Sequence, residues 1–146
     1  MHKTTMGNGY IKIEENVRHE FSVEARLVNG TLWLSKWQMA SLFNVYTKTI
    51  EGCLNAIFKA GLLQENDVSR IQTFEHAGRT NEQILYNLDT LIFVGFSIAS
   101  FEAKAFREWV LKAFSEYMKN DRMQTIGNAL IVWNIHLQVP VITSLN

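Results

Sequence analysis

The stretch Ser35–Gly61, SKWQMASLFNVYTKTIEGCLNAIFKAG, constrains the fold more than any other part of the chain. Met39, Ala40, Leu42 and Phe43 fall on one side of a first helix, and Ile50, Cys53, Leu54, Ile57 and Phe58 on one side of a second. That is the spacing of helices with one apolar face, and helices this short bury such faces only against each other and a shared body. Between them Asn44 suits the left-handed conformation that ends a helix, Val45 fills the gap beneath, and Thr47 is placed to cap the second helix. Ala40 is the small residue where the helices cross, and Ile50 packs back onto it. The pattern predicts a helix-turn-helix; the plainer alternative is an ordinary helical hairpin.

The flanks read as support for this pair. Residues 1–19 are polar and without period, and are expected to be a mobile arm with a short strand at Tyr10–Ile13. Phe21, Val23, Ala25 and Leu27 then alternate with Ser22, Glu24, Arg26 and Val28, and Asn29-Gly30 precedes Thr31-Leu32-Trp33-Leu34. Both residues of an Asn-Gly pair accept positive φ, so residues 21–34 are expected to form an antiparallel hairpin about a type I′ turn. It leads into the first helix, where Ser35 and Gln38 have capping-box spacing. After Gly61, the leucines of Leu62–Val68 are expected to pin the second helix to the body. Arg70–Ala77 and Glu82–Leu88 read as strands joined by Gly78-Arg79-Thr80-Asn81, a hairpin placed where a wing would be. The alternative is a plain sheet hairpin with a solvated tip.

Leu91-Ile92-Phe93-Val94-Gly95-Phe96 is apolar nearly all round, as a buried helix must be. Ser100 suits the cap of a last helix, whose stripe of Ala103, Phe106, Trp109, Val110, Ala113, Phe114 and Tyr117 reads as core, with Lys104, Glu108, Lys112 and Glu116 opposite. Beyond it, Trp133, Ile135, Leu137 and Val139 alternate with polar residues, which suggests a strand ended near Pro140 that pairs with the N-terminal sheet or with a second copy of the chain. The expected organisation is an arm over 1–19, a winged helix-turn-helix-like α+β domain over 20–119, and a C-terminal extension over 120–146.

Composition narrows the function. The chain has 146 residues, 47% of them hydrophobic, enough for one domain with its own core. Fourteen basic residues balance fourteen acidic ones, so any nucleic-acid contact must come from local charge and not from a polybasic surface. Cys53 is the single cysteine, and its place on an apolar helix face marks a buried thiol. No apolar run reaches membrane-spanning length and MHKTTMGNGY lacks a signal-peptide core, so a cytoplasmic protein without a membrane partner is expected. His2, His19, His76 and His136 have no metal-ligand spacing, Gly7-Asn8-Gly9 lacks the lysine of a phosphate loop, and no nucleophile–base arrangement is visible. The expectation is a non-enzymatic protein without cofactor or metal.

Six short blocks carry a resemblance. Leu32-Trp33-Leu34-Ser35 leading to Gln38-Met39-Ala40-Ser41-Leu42-Phe43, then Thr49-Ile50, then Tyr86-Asn87-Leu88-Asp89 with Val94-Gly95-Phe96, and last Ala105-Phe106-Arg107-Glu108-Trp109, together resemble the RhuM-like family of bacterial and phage-type proteins. The resemblance spans roughly residues 21–118 and implies an N-terminal DNA-binding domain, related in layout to the Bro-N and KilA-N domains of phages and large DNA viruses. The chain departs from the family at Glu51, Gly52 and Ser97, where polar or basic residues on the second helix and an arginine after the glycine-aromatic pair are usual.

A helix-turn-helix sets the N-terminal part of its second helix in the major groove. The exposed face expected here offers Lys48, Thr49, Glu51, Gly52, Asn55 and Lys59. Asn55 suits an adenine edge, Glu51 a cytosine amine, and Lys48 and Lys59 phosphates. Ser35, Tyr46 and Thr47 are the expected backbone contacts, with Arg79 reaching from the wing. The expected partners are therefore double-stranded DNA and, because so few phosphates are held, a second copy of the chain on a two-fold site. Glu51, Gly52 and the zero net charge keep open a second class, a helix-turn-helix fold used for protein interaction or dimerisation without DNA.

Overall fold

The computed structural model describes residues 7–124, a mixed α+β chain with two two-stranded antiparallel sheets and five helices. The chain divides into two compact units, Met1–Glu108 and Trp109–Asn146.

The first sheet pairs β1 (Tyr10–Glu15) with β2 (Phe21–Arg26), in register from Tyr10↔Arg26 to Glu15↔Phe21. This corrects two expectations. Residues 10–15 are a full strand and not part of a mobile arm, and β2 takes β1 as its partner instead of Thr31–Leu34. The Asn29-Gly30 turn does form, with φ of 55° and 79° and a Val28↔Thr31 bridge, but the ladder stops there. Leu32 and Leu34 are drawn into the core, 0% and 7% exposed. Their backbone goes elsewhere: Trp33 N–H donates to the Asn8 carbonyl at 2.9 Å, and Leu34 and Tyr86 exchange bonds of 2.9 and 2.7 Å. A strand whose hydrogen-bonding groups are already satisfied cannot also close a hairpin.

Helix α1 (Lys36–Phe43) begins with the expected capping box: the Ser35 hydroxyl accepts from Gln38 N–H at 3.2 Å and Gln38 Oε1 accepts from Ser35 N–H at 2.8 Å. Asn44 ends it in the left-handed region, φ 57° and ψ 50°. Helix α2 (Thr47–Lys59) follows, with Tyr46 at its N-cap and no side-chain cap bond, so Thr47 is its first residue and not its cap. Gly61, at φ 76°, closes α2: its N–H donates to Phe58 O and that of Leu62 to Ile57 O, each 3.1 Å, the Schellman arrangement that satisfies carbonyls at a helix end. Of the two leucines expected to pin α2, Leu62 is 55% exposed and Leu63 only half-buried; Val68, at the end of the short helix α3 (Glu65–Val68), is the buried anchor.

The second sheet is a hairpin of β3 (Ser69–His76) and β4 (Arg79–Tyr86) turning on Ala77 and Gly78, with φ of 55° and 76°. Arg79 is therefore the first residue of β4, opposite His76, and not part of a four-residue tip. Helix α4 (Leu88–Gly95) is capped by Asn87, whose side chain accepts from Thr90 N–H, and buries Thr90, Leu91, Val94 and Gly95. Helix α5 (Phe101–Gln124) starts on the Ser100 hydroxyl, which accepts from Ala103 N–H at 3.1 Å.

The core of the first unit joins Leu32, Leu34, Met39, Phe43, Ile50, Leu54, Ile57, Leu85, Leu91, Val94 and Phe106, each fully or nearly buried, and such side chains contribute about 1.5 to 3 kcal/mol apiece relative to exposure. Phe43 and Phe106 meet edge to face at 5.4 Å. Gly95 is where α4 comes closest: a Cβ there would lie 2.5 Å from the Phe106 ring and 3.2 Å from that of Phe43. The α5 stripe is core only in part. Ala103 and Phe106 are buried, whereas Ala113 is exposed and Phe114 and Tyr117 are 46% and 48% exposed. The expected strand at Trp133–Val139 lies outside the described residues.

Candidate nucleic-acid interface

The turn at Asn44-Val45-Tyr46 sets α1 against α2, and α2 sorts its side chains by face. Ile50, Leu54 and Ile57 point inward at 0%, 5% and 3% exposure. On the opposite side Lys48, Gly52, Asn55 and Lys59 form one exposed stripe, with Thr49 beside it. Gly52 leaves that stripe open, since a Cβ there would meet nothing within 4 Å. Neither lysine is in an ion pair among the described residues.

Glu51 is the only carboxylate of α2, and it is turned off the stripe. Lys36 Nζ, from the first position of α1, lies 2.7 Å from Glu51 Oε2. The hydrogen bond and charge of Lys36, with a smaller contribution from Lys48, hold the Glu51 carboxyl below its usual range. The Lys36 ammonium also lies 4.9 Å from the centre of the Trp37 ring, itself 55% exposed. Sequence reasoning missed Lys36 because its partner is fifteen positions away; only the crossing of α1 and α2 brings them together. A lysine in the first turn of a helix, away from the C-terminal end that favours cations, was the available signal.

The other expected contacts divide. Tyr46 is 84% exposed at the N-cap of α2, and Thr47 is half-buried. Ser35 is 3% exposed with its hydroxyl engaged in the capping box, so burial withdraws it from the contact set. Arg79 is exposed at the far end of the hairpin, while Arg70 lies 4.3 Å over the Trp33 ring and donates to Asn8 Oδ1. The register gives the hairpin two unlike faces. One carries Arg70, Gln72, Phe74 and His76 with Arg79, Asn81 and Gln83; the other carries Ile71, Glu75, Glu82 and Ile84. Ile71 and Ile84 stand directly opposite each other, 65% and 43% exposed.

A cavity of about 320 Å³ separates α2 from β4, lined by Lys36, Glu51, Leu54, Asn55, Phe58, Glu65 and Tyr86. Phe58 and Tyr86 stack at 6.1 Å along it, and burial together with Glu65 raises the Tyr86 hydroxyl pKa. Burial likewise pushes the Cys53 thiol up. Among the described residues no three His, Cys, Asp or Glu side chains gather as a metal site, and no helix is long and apolar enough to cross a membrane.

Comparison with protein-family models, with characterised proteins and with solved structures finds no match to this chain.

Proposed function

We propose that this chain binds double-stranded DNA as a small transcriptional or mobile-element regulator, with α2 as the reading helix of a winged helix-turn-helix-like domain of the kind the RhuM-like resemblance implies. The observation that carries the proposal is the charge layout of α2. Its outward stripe offers two lysines, a glycine and an asparagine, while its single carboxylate is neutralised by Lys36. Gly52 lets backbone approach closely, the lysines suit phosphates, and Asn55 suits an adenine edge. Two lysines neutralise few phosphates, so one copy binds weakly and two copies on a two-fold site bind usefully.

A salt series against random-sequence duplex DNA tests this. Lys48→Ala and Lys59→Ala should each weaken binding alike across sequences and lower the salt slope by about one. Asn55→Ala should instead relax preference at one base position, at about 1 to 3 kcal/mol. A folded wild-type protein with no salt-dependent association at low salt would sink the proposal.

A second use of the fold is favoured by the exposed Ile71–Ile84 pair, which shares its face with Glu75 and Glu82. An apolar patch rimmed by carboxylates suits a protein partner and repels phosphate. If the chain is such a module only, Lys48→Ala changes no DNA binding because there is none to change.

A further inference from the structure

We propose that Lys36 is a further DNA-phosphate contact, and that Glu51 withholds it from the backbone and so caps the affinity of the domain. This rests on α2 being the DNA-reading helix. Four observations point to Lys36. It occupies the first position of α1, whose first turn carries no acidic residue, and the free amides of a helix start favour a nearby anion. Its ammonium reaches the second turn of α2, 2.7 Å from Glu51, one turn along from Lys48 of the outward stripe. Both partners remain open to solvent, at 32% and 43% exposure, and an ion pair so placed is weak and easily exchanged. The exposed Trp37 ring at 4.9 Å keeps the ammonium at this edge of the helical pair when it is not on Glu51.

Glu51 then acts on DNA affinity through Lys36 rather than by its own field. While the pair is closed, Lys36 spends its charge on a carboxylate and adds nothing to the phosphates held by Lys48 and Lys59. With the carboxylate gone, the ammonium is free to take a phosphate oxygen, a charge-assisted bond that releases one further counterion.

The test is a double-mutant cycle on the full chain, read as a salt series with random-sequence duplex DNA, with Lys48→Ala as the control for α2. Glu51→Gln should tighten binding by up to about fivefold at low salt, the most a weak exposed pair withholds, and steepen the salt slope by about one. In a Lys36→Ala background the same change should leave the slope where it was and tighten binding by about twofold or less. Lys36→Gln, which keeps most of the stem over Trp37, should repeat this result if Lys36→Ala perturbs the fold. An equal gain in both backgrounds would overturn the proposal, because Glu51 would then repel DNA directly. No gain in the wild-type background, with Lys48→Ala still weakening binding, would also overturn it and leave the pair as a clamp between helices. If Lys48→Ala has no effect, α2 as the reading helix has failed, whatever Glu51 does.

Discussion

The α1–α2 pair and the β3–β4 hairpin present opposite economies of structure. In the helical pair three of the four helix ends are closed by a neighbour in sequence: Ser35 with Gln38, Asn44 with Ala40 and Ser41, Gly61 and Leu62 with Phe58 and Ile57; the start of α2 at Tyr46 has no side-chain cap. Its inward face is buried, with Met39, Phe43, Ile50, Leu54 and Ile57 at 5% exposure or less, although Trp37 and Tyr46 stand in solvent. The hairpin is joined to the body at its base, through Leu85 and Tyr86, and outward from there its apolar residues stand in solvent. The helices are thus held by burial and the hairpin arm by its own ladder. A rigid helical surface beside a ribbon that can be altered without loss of the core follows from that difference.

The sharpest way to break the comparison is to remove core from the helical pair. Leu54→Ala deletes a buried side chain, 5% exposed, at the middle of α2 and should cost about 2 to 5 kcal/mol in chemical denaturation. An effect near zero would mean that the inward face of α2 is not what holds the pair.

The same difference decides how much was legible in the sequence. Helix signals are local, so the capping box, the left-handed Asn44, the buried face of α2 and the Ser100 cap were all readable from residues within a few positions. Strand pairing is not local. Phe21–Arg26 has the alternation of a strand but nothing in it names a partner, and the Asn-Gly turn pointed to the nearer segment, whereas Leu32 and Leu34 were needed by the core. In the second hairpin a four-residue polar run looked like the tip, yet the chain turns at Ala77-Gly78 and keeps Arg79, Thr80 and Asn81 in the ladder. At the candidate interface the stripe from Lys48 to Lys59 was readable from helical period alone. The Lys36–Glu51 pair was not, because it exists only where two helices cross. On α5 the apolar period continues past Phe106, yet Phe114 and Tyr117 stand about half exposed while Met118, off the expected stripe, is buried, so period alone does not say which residues are core.

Ala77 offers an intermediate test, confined to the hairpin. It holds φ at 55°, a conformation that places its Cβ near the carbonyl and that Asn tolerates better. Ala77→Asn should create the Asn-Gly pair that a type I′ turn prefers and stabilise the fold by up to about 1 kcal/mol. The measurement is the urea midpoint at unchanged slope. A loss of stability would show that the turn is not held in this conformation in solution.

The smallest expected effect lies on the exposed face of the hairpin, and there its smallness is what informs. Ile71 is 65% exposed and its cross-strand neighbour Ile84 is 43% exposed. Ile71→Thr keeps the β-branch that suits a strand and removes mainly solvent-facing carbon, so only part of a cross-strand pair is lost. That pair is worth about 0.2 to 1 kcal/mol in all, and the change should therefore fall within about 0.5 kcal/mol of wild type in denaturation of the isolated protein. A loss approaching that of Leu54→Ala would mean that this face is covered in solution, and that the contrast between a buried helical pair and an open ribbon is wrong. If stability is unchanged and the variant is tested beside Lys48→Ala, the two surfaces separate by function: DNA association should follow Lys48 and ignore Ile71, because an aliphatic pair flanked by Glu75 and Glu82 has nothing to offer a phosphate.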